Sequence, residues 1–212
     1  MNRILVDDRF KTSVLEEVLA PIQASPAPTV VRSNLIRLDA LIRLRIAQEA
    51  TGSKKPEEAD AAAAVAEDRL NSYLALNPAD SFLWLMLYSI ENMRNGFDAR
   101  MVGFLDQSYK SGPLEGWIAL RRNRLALAAY PALNETIRDT VISEFAGLVA
   151  SDFTEGAALN LVGIGWGQRD RLLTSLQRVD IVAREALAKR LLREGVTVNV
   201  PGVQIDERLW RQ

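Results

Sequence analysis

Glu91 and Arg121 carry the chemistry that stands out in this chain, because each is a charge set among apolar neighbours at helical spacing. Glu91 lies over Trp84 and Tyr88, and Arg121 shares an azimuth with Leu114, Trp117, Leu125 and Ala128. A carboxylate and a guanidinium so placed either neutralise one another inside the fold or face a substrate. If equivalent helices lie side by side, Glu91 is level with Arg124, one turn from Arg121. The expectation is a partly buried ion pair of Glu91 with Arg121 or Arg124 that fixes register and is not catalytic.

Three other groups of residues could do chemistry. Arg121, Arg122 and Arg124 fall within four positions and could meet an anion, but a helix points them in different directions, so they form no single patch. Gly163-Ile-Gly-Trp-Gly167 resembles a phosphate-cradling loop only in its glycines. Such loops follow a strand and open a helix with a Lys or a dinucleotide fingerprint, whereas here a helix precedes and no Lys follows. The expected structure is a tight corner between helices. Asp7-Asp8 and Glu57-Glu58 are adjacent pairs without metal-ligand spacing, and the latter suits the first turn of a helix.

Absent residue types narrow the field further. There is no Cys, which removes disulfides, thiol nucleophiles and thiolate metal sites. There is no His either, which removes the commonest general base and most zinc sites. No catalytic residue, metal or cofactor is therefore expected. With 26 basic and 27 acidic residues the formal charge is -1, so no overall field recruits nucleic acid.

The elements that position these residues read as helices almost throughout. Phe82 to Tyr88 is apolar at seven consecutive positions and so occupies every azimuth of a helix, the mark of a helix buried between neighbours. Asn77-Pro78-Ala-Asp80 supplies its turn and cap, and Asn95-Gly96 its stop.

Before this helix, Thr12 or Ser13 caps one carrying Val14, Leu15, Val18, Leu19 and Ile22, and Ser25-Pro-Ala-Pro28 breaks the chain. Thr29 to Ala50 and Pro56 to Leu76 follow, the second passing through four alanines that allow close approach. After it come Phe97 to Lys110 and Leu114 to Ala129, then a helix capped by Asn134. Another is opened by a capping box from Asp152 to Glu155, and Arg169 to Val179 and Ile181 to Arg193 complete the set. Val196 to Val200 alternates like a short strand.

The expected fold is all-α, about ten helices joined as antiparallel hairpins in one domain over 1–212. Its N-terminal helices fall in 12–76, its clearest repeats in 78–150, its C-terminal helices in 152–195 and an extended tail in 196–212. No run reaches the ~18 to 20 apolar residues that cross a bilayer. The first nine residues lack a signal-peptide pattern, which points to the cytoplasm, or to the periplasm if a leader or anchor precedes Met1.

Trp84 and Trp117 are 33 residues apart, as are Leu87 and Leu120, with Pro78 and Pro113 punctuating the hairpins. Trp-x-x-Leu early in a helix at a period of about 34 resembles the tetratricopeptide family of helical repeats. Around Trp84 the resemblance extends to Gly96, Leu105, Ser108 and Pro113. Tyr88 and Arg121 stand where the family carries a small residue. The resemblance implies an α-α superhelix whose concave face, lined by the first helix of each pair, holds a peptide or a partner helix. The Lys and Asn clamp with which some members grip a C-terminal carboxylate is missing, since Leu85, Met86, Ser89 and Met93 occupy those positions.

The function read from the sequence is thus a non-catalytic scaffold or adaptor for a protein or peptide, with self-association also open. Its expected groove is lined by Leu85, Ser89, Asn92 and Met93, then Ile118, Arg122 and Leu125. One alternative is an accessory assembly component of a bacterial cell-envelope or polysaccharide-export system. The stretch from Trp117 to Asn123 resembles uncharacterised bacterial repeat proteins of that kind. Another is a carboxylate-dependent enzyme built around Glu91. The tail from Val196 either caps the fold or offers a strand edge to a partner.

Overall fold

The computed structural model describes residues 10–24, 29–51, 55–113 and 115–204. Asp7-Asp8, the break at Ser25–Pro28 and the end of the tail from residue 205 lie outside the described residues. Ten α-helices form, joined by short turns of which four are 3-10 helices, and no strand forms among the described residues. The fold is all-α. No described helix is long and apolar enough to cross a membrane. The chain divides into two compact units, Met1–Gly112 and Pro113–Gln212.

In the first unit each helix packs on the next: α1 (Thr12–Ala24), α2 (Thr29–Thr51), α3 (Pro56–Leu76), α4 (Ser81–Asn95) and α5 (Val102–Ser111). Leu15 and Leu19 of α1 meet Ile42 of α2, with Leu38 and Ile46 around them. Buried alanines on α2 (Ala40, Ala47) and α3 (Ala63, Ala66) keep side chains short where these two helices approach. Pro56 sits in the first turn of α3, and Glu57 and Glu58 follow where the helix dipole favours acid.

α4 is buried on nearly every side, as its seven-residue apolar run requires. Leu83 N–H donates to the Asp80 carboxylate at 3.1 Å, and Arg37 Nε donates to the same carboxylate at 2.6 Å, so one side chain caps α4 and ties it to α2. Trp84 alone of the run stands at the margin. Its indole N–H donates to the Pro78 carbonyl at 2.8 Å, and its ring stacks on Phe104 at 6.0 Å between centroids. Between α4 and α5, the Ser81 and Ser108 hydroxyls each donate to the other residue's carbonyl, at 2.8 and 2.9 Å. Gly96, at φ 70°, turns the chain after α4.

One boundary in this unit differs from expectation. The predicted helix from Phe97 begins only at Val102, after a 3-10 turn over Ala99–Met101. Asp98 accepts from the Arg100 backbone N–H at 2.8 Å and from the Arg100 guanidinium, which holds its carboxyl down at about 2 and keeps its own backbone extended.

The second unit holds α6 (Gly116–Ala128), α7 (Glu135–Ala150), α8 (Thr154–Val162), α9 (Arg169–Ser175) and α10 (Ile181–Arg193). Its contacts skip along the chain: α6 packs on α7 and α8, α7 also on α9 and α10, and α8 also on α10. Asn134 and Asp180 cap α7 and α10 through the backbone N–H groups of Ile137 and Val182.

The capping box expected at Asp152–Glu155 does not form. Asp152 instead ends α7, in the left-handed region at φ 65°. Phe153 N–H reaches the Leu148 carbonyl at 2.9 Å and Asp152 N–H the Val149 carbonyl at 3.4 Å, which is a Schellman closure. A short acidic residue suits both roles, and where two helices abut, the closure of the first takes it. Gly195 closes α10 in the same way at φ 74°. Val196–Val200 runs on without a turn or bend and pairs with no strand among the described residues, so the predicted strand does not form.

Candidate functional site

In the first unit, polar chemistry collects at the C-terminal end of α4, where it lies beside α3. Arg94 Nε donates to Asp60 at 3.0 Å and Arg94 Nη1 to Glu67, so one guanidinium spans two carboxylates two turns apart on one face of α3. Glu91, one turn before Arg94, accepts from Asn95 at 2.8 Å. Its carboxylate also meets that of Glu67. Burial, then this neighbouring carboxylate, pushes Glu67 above the usual carboxylate range, and Arg94 pulls in the opposite sense. Arg100 also feels the charge of Glu91.

Beside these charges Met93 and Phe97 stand exposed, at 41% and 42% of their full surface. Met93 sulfur accepts from the Thr51 hydroxyl at 3.2 Å, which places the end of α2 against it. Ser89 and Asn92 are half-buried. Positions 89, 92 and 93 share one side of α4, and the chain carries Phe97 just beyond it. Two exposed apolar side chains thus stand in a segment that also carries charges of both signs.

The remaining groove residues fall differently. Leu85 is fully buried, being part of the all-round apolar run, so it is core and not lining. In the second unit Ile118 is also buried, and Leu125 is half-buried. Arg122 is the largest fully enclosed side chain among the described residues, and its Nε and Nη2 donate to Glu144 of α7 at 2.8 and 2.6 Å. A surface partner therefore touches neither Leu85, Ile118 nor Arg122. Arg121 is half-buried and Arg124 exposed. For Glu91, the described partners are those on α3, on α4 and in the Ala99–Met101 turn given above.

Around Arg122 the second unit builds a polar interior. Asn123 donates to the Val141 carbonyl at 2.9 Å, and Asn160 donates to the Leu120 carbonyl at 3.1 Å and to the Asn123 side-chain oxygen at 3.3 Å. α6, α7 and α8 are thus joined through side chains that satisfy one another. The glycine stretch from Gly163 forms the expected corner. Gly165 N–H donates to the Asn160 carbonyl at 2.8 Å, and a Cβ there would lie 2.7 Å from that oxygen. Ile164 and Trp166 are exposed at its tip, and the Arg169 guanidinium lies 5.1 Å from the centre of the Trp166 ring.

Two of these arrangements escaped the sequence. Arg94 was not singled out, although Asp60 and Glu67 are seven residues apart on α3 and so share a face that an antiparallel α4 would meet. Glu144 was not singled out either, because nothing local marks its partner 22 residues away. Among the described residues no group of three or more acidic side chains could hold a metal ion. No protein-family model, curated protein or solved structure matches this chain.

Proposed function

We propose that this protein is a non-catalytic scaffold that holds a peptide or a partner helix against the C-terminal end of α4. The observation that carries this reading is the exposure of Met93, on the same side of α4 as Ser89 and Asn92, and of Phe97 just past the helix end, in a segment that also carries Glu91 and Arg94. Met adapts to varied apolar partners, and a charged rim around an apolar centre sets orientation. The resemblance of residues 78–150 to tetratricopeptide repeats supports the same reading, since such hairpins bind through the first helix of each pair.

The test is affinity capture with the wild-type chain, followed by titration of the recovered partner against Met93→Glu and Phe97→Glu variants. Both side chains are well exposed, so the variants are expected to melt as the wild type does while losing more than about tenfold in affinity. A partner bound equally by both variants would overturn the proposed surface.

A further inference from the structure

The segment Val196-Thr-Val-Asn-Val200 is held at both ends and free in the middle. At its start, Val196 N–H donates to the Leu191 carbonyl at 2.9 Å, as part of the closure of α10. At its end Val200 is buried at 1% exposure, and Arg184 of α10 donates to the Pro201 carbonyl. The Val203 N–H returns to the Val200 carbonyl at 3.1 Å across Pro201-Gly202, with Gly202 at φ 73°, so a tight turn stops the segment. Between these anchors, among the described residues, the main chain of Thr197, Val198 and Asn199 makes no hydrogen bond.

Exposure along the segment alternates: Val196 and Val198 are half-buried and Val200 buried, while Thr197 and Asn199 are exposed. This is the pattern of a strand resting one face on a core. A cavity of about 550 Å³ opens along its flank, lined by Arg169, Thr174 and Gln177 on one side and Val198 and Asn199 on the other. The segment is therefore unpaired among the described residues, with Thr197 and Asn199 exposed.

Protein sheets commonly guard such an edge with Lys, Pro or a bulge. This one carries none of these between Val196 and Val200, and no charge occurs from Gly195 to Gln204. Its β-branched Val and Thr residues favour a pleated conformation, and the anchors at both ends spare much of the ordering cost of pairing.

We propose that the segment is a self-association edge, pairing antiparallel with the same segment of a second copy of this chain. The sequence is suited to a two-fold pairing centred on Val198. Val196 then faces Val200 of the second copy on the core side, and Thr197 faces Asn199 on the solvent side. Every cross-strand pair is apolar with apolar or uncharged polar with uncharged polar. A five-residue ribbon falls below the ~1,000 Å² that a durable interface buries, so the association is weak and concentration-dependent.

The experiment is sedimentation of the full chain from about 10 μM to 1 mM, the range in which so small an interface becomes populated. The weight-average mass is expected to rise from the 23.5 kDa monomer toward twice that value. Thr197→Lys with Asn199→Lys places like charges opposite one another on two exposed positions, and that variant should stay monomeric with an unchanged melting curve. Mixing it with the Thr197→Glu, Asn199→Glu variant should restore the dimer as a mixed pair, a rescue that general surface repulsion would not give at these two sites alone. A wild-type chain that remains monomeric to 1 mM overturns the proposal, as does a dimer indifferent to the double Lys change. A monomer that takes up the free peptide Val-Thr-Val-Asn-Val also overturns it, and would make a foreign strand the occupant.

Discussion

The first unit leaves one partner or both of each of its ion pairs open to water, whereas the second encloses an ion pair almost entirely. In the first, the buried polar groups are the Ser81 and Ser108 hydroxyls, small enough to satisfy each other's backbone carbonyls, and Arg45, whose partner Glu49 is still 24% exposed. Arg37, Arg94 and their carboxylate partners lie where water still reaches them. In the second, Arg122 and Glu144 are buried at 0% and 6% side-chain exposure, with Asn123 and Asn160 beside them. Apolar packing accepts many near-equivalent registers. A buried Arg accepts only those that bring its carboxylate, and so contributes uniqueness more than net stability. Specificity in the first unit instead rests on caps and turns between consecutive helices, such as Asp80 and Gly96.

The largest expected effect comes from breaking the enclosed pair. Glu144→Ala leaves the Arg122 charge buried without its carboxylate, and should cost about 3 to 5 kcal/mol in urea unfolding. Replacing both partners, as Arg122→Met with Glu144→Leu, removes the charge along with its need and should recover more than half of that loss. If Glu144→Ala fell within about 1 kcal/mol of wild type, the contrast between the two units would collapse.

A smaller effect tests whether equal sequence spacing means equal environment. Trp84 and Trp117 are 33 residues apart, each early in its helix, yet Trp84 stacks on Phe104 and bonds to Pro78 while Trp117 is 43% exposed. Trp84→Ala should cost about 2 to 3 kcal/mol, below the range for a fully enclosed Trp, and Trp117→Ala less than about 1 kcal/mol. Equal losses in chemical denaturation would mean that the two hairpins use their Trp alike.

What the sequence disclosed follows the range of the interaction that decides each feature. Asp80 and Asn134 act on backbone groups within a few residues, and both were legible as caps. Asp152 was misread because the end of one helix and the start of the next compete for the same residue. The burial of Arg122 depends on Glu144 from another helix, which no helical period reveals; the Arg therefore looked like a groove residue. At the candidate site, Met93, Ser89 and Asn92 follow the apolar run on one side of α4 and keep some exposure, as their place after that run suggests. Leu85 was not distinguished from them, since a helix apolar all round gives no azimuth to water.

The smallest effect concerns the carboxylates at the edge of the first unit, where the sign can be worked out. Glu67 has its folded value raised above the unfolded one, first by burial and then by Glu91, against the pull of Arg94. The folded state thus holds that proton more tightly. The stability it contributes is complete below the unfolded carboxylate range and is lost as pH rises through the folded value. Glu91→Gln removes the neighbouring charge and offers an amide donor to Glu67, so Glu67 should move back toward its ordinary value. The variant should be more stable than wild type at neutral pH, by on the order of 0.5 kcal/mol given the partial exposure. Below pH ~4, where Glu67 is already protonated, the gain should vanish. Glu67→Gln should bring no such gain, because Arg94 then keeps only Asp60 as a charged partner. Melting curves of both variants across this pH range decide the matter. A loss for Glu91→Gln at neutral pH would mean that cations such as Arg94 and Arg100 hold Glu91 more firmly than Glu67 repels it, and the margin of the first unit would then resemble the enclosed pair of the second.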